Sequence, residues 1–301
     1  MATTLAFRTV PDVTPLLLRA MANHVGRRPA AAPVLPDKVA RVARHRQDLD
    51  RLAAYDRVCG FTLRDHVPPT WLHVQTFPLQ AAILAERSFP FAPAGLVHVA
   101  NTMTIHRGVG VAEELDLMVR ADGLRPHAKG ALFDLVEEVR VRGDIVWSGR
   151  STYLARLPRP LAETTPPVAP GGTPDLDQLD RQEPRDLDEP DRRRAQTWRL
   201  PADLGRDYAA VSGDVNPIHL SAASAKVFGF KRAIAHGMWT HARCLSALEG
   251  RLPDAYTVAV RFTKPILLPG RVGFAANDAS DGVRFAVLGR EDKPHLIGTA
   301  R

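Results

Sequence analysis

One internal echo narrows the folds open to this chain more than any other feature. Tyr55 to His66, YDRVCGFTLRDH, lies without a gap over Tyr208 to His219, YAAVSGDVNPIH, and Tyr, Val, Gly and His fall at matching offsets 153 positions apart. Each copy leads towards a helix-compatible stretch, TFPLQAAILAERSF in the first half and HGMWTHARCLSALEG in the second. Each then gives way to β-like runs. In the first half these are GLVHVANTMTIHRG, EELDLMVRADGL, GALFDLVEEVRVRG and DIVWSGRSTYLARL; in the second, YTVAVRFTKPIL, GRVGFAANDAS and GVRFAVLGRE. Apolar residues at alternate positions, such as Val258, Val260 and Phe262, bounded by Gly and Pro, predict half-buried antiparallel strands. Four identities alone could be chance, but with a shared order of elements they point to duplicated halves.

The repeat implies an α+β fold in which each half lays one helix over a curved antiparallel sheet. Two such units can cover each other's open strand edges, within one chain or across a homodimer. The halves are separated by residues 157–194, rich in Pro, Asp and Arg and without apolar period, which read as a linker. The expected organisation is therefore 1–156, a first half with an N-terminal extension; 157–194, the linker; and 195–301, the second half.

Composition removes several classes of function. The chain has 301 residues, 45% hydrophobic and 24% charged, as a globular protein with a sizeable core does. Its 40 basic against 33 acidic residues give a net charge of +7, which suits an anionic partner. The Arg residues are scattered and form no basic tract, so no nucleic acid partner is expected. Cys59 and Cys244 sit in apolar sequence outside any CxxC pair, so buried free thiols are expected, not zinc or a disulfide. The N-terminus is broken by Arg8, Pro11, Asp12 and Pro15, so a signal peptide is not expected there, and no stretch reaches the ~20 apolar residues of a membrane span. A cytoplasmic protein is the expectation.

Chemistry concentrates in SGDVNPIHLS, Ser212 to Ser221. Proline after Asn216 pushes that residue out of the helical region, so Asp214 to Pro217 should form an irregular turn. Five positions separate Asp214 from His219, and a continuous helix would rotate them apart by about 140°, whereas a proline-broken turn can converge them. Asn216 can hold this loop or reach a ligand. Downstream, AIAHGMWTHARCLSALEG begins an apolar helix at or just after Gly237, whose missing side chain lets a substrate approach the backbone. The unpaired N–H groups of a helix start favour a developing oxyanion. A carboxylate, an imidazole and a backbone donor suit proton transfer α to a carbonyl. Each residue has a plainer reading: Asp214 as a turn aspartate, His219 as a surface histidine, Asn216 as a turn former and Gly237 as a packing glycine.

The stretch YAAVSGDVNPIHLSAASAKVFGFKRAIAHGM resembles the hydratase-2 signature of MaoC-like acyl dehydratases. The matching positions are Tyr208, Val211, Ser212, Gly213, Asp214, Asn216, Pro217, Ile218, His219 and Ala225, with Gly229–Phe230 and His236–Gly237 beyond them. The resemblance covers about thirty residues directly, and the first half carries a weaker likeness to the non-catalytic half of two-domain members. It implies a double hot dog: two curved antiparallel sheets, each wrapped around a central helix. It further implies catalysis by Asp214 and His219, which grip a water or the 3-hydroxyl, with Asn216 and Gly237 binding substrate. The implied reaction is reversible syn hydration of a trans-2-enoyl thioester, carried on coenzyme A or acyl carrier protein, with no metal or other cofactor.

In the first half, Phe61 stands where Asp214 would be and Leu63–Arg64 where Asn216–Pro217 would be, so that copy is expected to be silent and to house the acyl tail. His66, aligned with His219, and His236 and His241 read as structural. The alternatives are a hot-dog thioesterase, which does not need the Asp–Asn-Pro–His signature, and a non-catalytic acyl-binding subunit of a lipid-synthesis complex.

Overall fold

The computed structural model describes residues 3–24, 32–157, 161 and 195–301, so the expected linker falls, apart from Leu157 and Leu161, outside the described residues. In chain order the elements are β1 (Thr3–Phe7), α1 (Val13–Ala22), β2 (Lys38–His45), α2 (Leu49–Cys59), α3 (Pro69–Leu84), β3 (Leu96–Ile105), β4 (Leu115–His127), β5 (Gly130–Val141) and β6 (Asp144–Arg156). They continue with β7 (Gln196–Leu200), α4 (Leu204–Ser212), α5 (Pro217–Leu220), α6 (Ala222–Val227), α7 (Gly237–Ala247), β8 (Tyr256–Phe262), β9 (Gly270–Ala279), β10 (Gly282–Leu288) and β11 (Pro294–Ala300). The chain forms two compact units, one from Met1–Asp48 with Asp65–Ala169, the other from Leu49–Arg64 with Pro170–Arg301.

In the first unit the strand order is β1-β2-β4-β5-β6-β3. The pairs are antiparallel except β1 with β2, which run parallel. The N-terminal segment, about which the sequence pattern was silent, is thus part of this sheet. Register shifts interrupt β2/β4, β3/β6, β4/β5 and β5/β6, and such bulges add local twist. Helix α3 packs against β2, β4, β5 and β6. Only Pro69 and Phe77 of its residues escape full burial, as befits a helix apolar on nearly every side. Trp71 and Trp147, both 0% exposed, are the largest side chains of this core. A buried aromatic of this size is worth roughly 3 kcal/mol or more of transfer free energy.

One layer of that core is polar. His73, Thr76 and Gln80 share a face of α3 because they are spaced by three and four residues. Glu137 of β5, 0% exposed, accepts from Thr76 Oγ1 (2.5 Å) and Ser151 Oγ (2.9 Å), and His73 Nδ1 lies 3.0 Å from the same carboxylate. Asn101 Nδ2 donates to Ser151 Oγ at 3.1 Å.

In the second unit β8-β11-β10-β9-β7 form an antiparallel sheet, with α7 against β10. Numbered within each repeat from β2 and from β7, both sheets have the order 1-3-4-5-2, with β1 as an addition at the edge of the first. The echo in the sequence is therefore a duplicated topology.

Its two copies nevertheless end in the same unit. Helix α2 precedes α3 in the first half of the chain, yet it packs with α4 and α7. Arg51 Nε donates to Val211 O (2.7 Å), Trp239 Nε1 to Val58 O (3.0 Å) and Ser246 Oγ to Cys59 O (3.1 Å). The aligned residues Tyr55 and Tyr208 meet with ring centroids 6.1 Å apart. The aligned glycines Gly60 (φ 81°) and Gly213 (φ 79°) each stop a helix in the left-handed conformation that only glycine adopts cheaply. Cys59 and Cys244 are buried free thiols. Among the described residues no helix is long and apolar enough to cross a membrane.

Candidate active site

The turn between α4 and α5 is built by its own short side chains. Gly213 N donates to Ala209 O (2.9 Å) and ends α4; Asp214 N then donates to Ser212 Oγ (3.1 Å). Asp214 Oδ1 accepts from Asn216 N (3.2 Å), an Asx turn, and Asn216 Oδ1 caps α5 by accepting from Ile218 N (3.4 Å), with Pro217 in the first helical position. Asn216 thus does the loop-holding work allowed for it, while its ligand-binding role stays an expectation.

The turn brings Asp214 and His219 together as the proline argument requires: with His236, their ligand-capable atoms all lie within 4.8 Å of one another. The Asp214 side chain keeps 29% exposure, whereas His219 is buried. His219 Nδ1 lies 2.8 Å from Ile234 O, and a carbonyl only accepts, so Nδ1 carries the proton and Nε2 is the basic nitrogen. Burial holds the His219 pKa below its ordinary 6.5, opposed by the Asp214 charge and the bond to Ile234. It is a neutral base at pH 7.

Behind this pair stands His236. Its ring stacks on His219 with centroids 3.6 Å apart and planes 25° apart, and Tyr208 lies against it at 4.8 Å. His236 Nε2 donates to the Asp214 backbone oxygen at 3.0 Å and is 3.8 Å from Asp214 Oδ2. That nitrogen therefore carries the proton and has no lone pair to offer. Burial first, and the neighbouring His219 second, hold the His236 pKa down to about 3.

This depression has a thermodynamic consequence with a definite sign. Below pH 6.5 the unfolded chain protonates His236 and the folded one does not, so stability falls with pH by about 1.4 kcal/mol per unit from this residue. His236→Phe removes that slope. Urea unfolding should show the stability gap between wild type and variant shrinking by about 2 kcal/mol between pH 6.5 and pH 5.

Gly237 opens α7, with His236 as its N-cap, so its N–H belongs to the unpaired first turn. A Cβ there would come within 3.1 Å of the Phe262 ring. His66, aligned with His219, is exposed beside Asp65 on the first unit and faces no such constellation.

Two contributors escaped the sequence reading. His236 was read as structural, and its stacking partner, seventeen residues upstream, was not foreseen. Gly205 is the other: a Cβ on it would stand 1.9 Å from the His219 carbonyl oxygen, so α4 can touch α5 only through a bare backbone. Gly205→Ala must push the His219 peptide away. It should cost about 1–3 kcal/mol of stability and lower kcat at unchanged substrate concentration range, read from thermal unfolding and steady-state rates.

Comparison with known proteins places this geometry. Residues 183–290 match the family model described as MaoC like domain. The chain is 35% identical over 295 residues to 3-hydroxyacyl-thioester dehydratase X of Mycobacterium tuberculosis, covering 97% of this chain and 99% of the relative. It is 34% identical over 94 residues to an (R)-specific enoyl-CoA hydratase of Aeromonas caviae, covering 31% of this chain and 67% of that one. The crystal structure of HtdX from Mycobacterium tuberculosis superposes with a TM-score of 0.71 at 33% identity, over 87% of this chain and 99% of that one. Two hot-dog units with one strand order, one Asp–Asn-Pro–His turn and full-length similarity to a dehydratase make this chain a member of the MaoC-like dehydratase family.

Proposed function

We propose that the protein is a hydro-lyase that interconverts (R)-3-hydroxyacyl and trans-2-enoyl thioesters. The observation that carries this is the convergence of the Asp214 carboxylate and the basic Nε2 of His219 across a proline-broken turn. In the hydration direction a water held by Asp214 gives a proton to His219 Nε2 as its oxygen bonds to C3. The displaced electron pair moves through C2 onto the thioester oxygen, where the Gly237 N–H stabilises it. The proton then returns to C2 from the same side, which makes the addition syn, and dehydration retraces these steps. These steps use only a water, the side chains of Asp214 and His219 and the backbone N–H of Gly237. The carrier is coenzyme A or acyl carrier protein, whose acidity suits the net charge of +7.

The test is hydration of crotonyl-coenzyme A, followed by loss of enoyl absorbance, with hexenoyl- and octenoyl-coenzyme A and an enoyl acyl carrier protein in parallel. Turnover to the (R)-3-hydroxy product is expected. Release of free thiol without hydration would instead indicate a thioesterase, and no turnover of any of the four would favour an acyl-binding subunit.

A further inference from the structure

The stack of two imidazoles under the Asp214 turn is more than the proposed reaction needs. A general base requires one imidazole and something to orient it, and Ile234 O already fixes the His219 tautomer. His236 adds two further restraints at once. Its ring covers one face of His219 at 3.6 Å, and its Nε2–H ties down the backbone oxygen of Asp214. One side chain thereby spans both members of the pair, from the start of a different helix.

We propose that His236 is a positioning residue, a clamp that sets the plane of the His219 ring against the Asp214 carboxylate. This rests on the dehydratase reading for its effect on rate, though not for its effect on the wild-type histidines. The titratable groups packed against His236 are His219 from α5, Asp214 from the turn and Tyr208 from α4, and it is buried among them. Two stacked imidazolium rings at this separation would repel strongly in a buried site, so the pair takes up at most one proton beyond its two ring N–H groups. That proton must be on His219, where the chemistry uses it, and a clamp that stayed neutral would leave it there. The Nδ1 of His236 is buried and meets no hydrogen-bond partner among the described residues, which fits a ring kept for its shape and its single donor.

Two variants separate the two restraints. In His236→Gln the amide nitrogen can still reach the Asp214 oxygen, but the stacked ring is gone. In His236→Phe the ring remains and the donor is lost. For each folded variant kcat should fall by about tenfold to a hundredfold with KM within about twofold, the signature of misplaced rather than missing groups. Water reaching the bared face of His219 in His236→Gln should move the acid limb of kcat/KM to higher pH, while His236→Phe leaves the limb in place. The proposal fails if both variants fold and keep kcat within twofold, or if both lose it with the acid limb fixed in His236→Gln. Side-chain nitrogen NMR of the wild type decides the matter if neither variant folds or if no substrate is turned over. His236 should remain the neutral Nε2–H tautomer down to pH 5 while His219 titrates. An His236 that titrates above pH 5, or that carries its proton on Nδ1, overturns the clamp.

Discussion

Asp214→Asn and His219→Ala should each lower kcat/KM on crotonyl-coenzyme A by about 10²–10⁴-fold, the range that a positioned acid–base group supplies. Asn keeps the acceptor that holds Asn216 N, so the turn should survive while the charge that binds water is lost. The double variant should be little worse than the poorer single one, because the two groups act on one water and their removals do not add. In the wild type, kcat/KM should rise with pH through a limb below 6.5, since burial holds His219 under its ordinary value. In His219→Ala that limb should vanish. Unchanged activity in both single variants would remove Asp214 and His219 from the chemistry, leaving the family membership intact.

The second large effect lies far from any chemistry. Glu137→Leu should destabilise the first unit by about 3–5 kcal/mol, as urea unfolding would report. The reason is what the substitution leaves behind. Thr76, Ser151 and His73 lose their common acceptor in a fully buried site. His73→Leu alone should also be costly, since it strips Glu137 of a partner. Combining the two should cost less than the singles together, because an apolar pair of similar bulk asks for no hydrogen bonds. Strict additivity would mean that the two side chains are not energetically coupled despite their 3.0 Å separation.

Much of this architecture was legible because it obeys short periods. Strands β3 to β6 and β8 to β10 alternate apolar and polar residues between Gly and Pro, and each lies where that alternation predicts it. Strand β11, PHLIGTA, escaped because it begins with proline and carries Gly298, which the Phe285 ring requires: a Cβ there would lie 2.4 Å from that ring. Strands β2 and β7 are rich in basic and polar residues and alternate over only two buried apolar positions each, Ala40 and Val42, Trp198 and Leu200. The parallel pairing of β1 with β2 departs from the antiparallel sheet expected, and a short flanking strand carries no sign of direction. Asp214 and His219 were legible since five residues of local turn chemistry bring them together. His236 and Gly205 were not, because their roles arise from packing between elements: a stacked ring and a backbone that must come close have no period. The place of α2 was illegible for the same reason. Its pattern says that it is a helix, and only the Val58, Cys59 and Tyr55 contacts say where it belongs.

That placement matters to anyone who takes scissors to the gene. The tempting cut lies in residues 157–194, and a fragment of 195–301 would begin neatly before β7. It would leave the second unit without Leu49–Arg64, exposing the indole N–H of Trp239, the hydroxyl of Ser246 and the face of Tyr208. Such a fragment should be poorly soluble. Protease nicking of the intact protein in the same segment should leave both pieces together on a sizing column, since the first piece carries a helix that is part of the second unit's core. The halves share one strand order, yet neither is complete without the other.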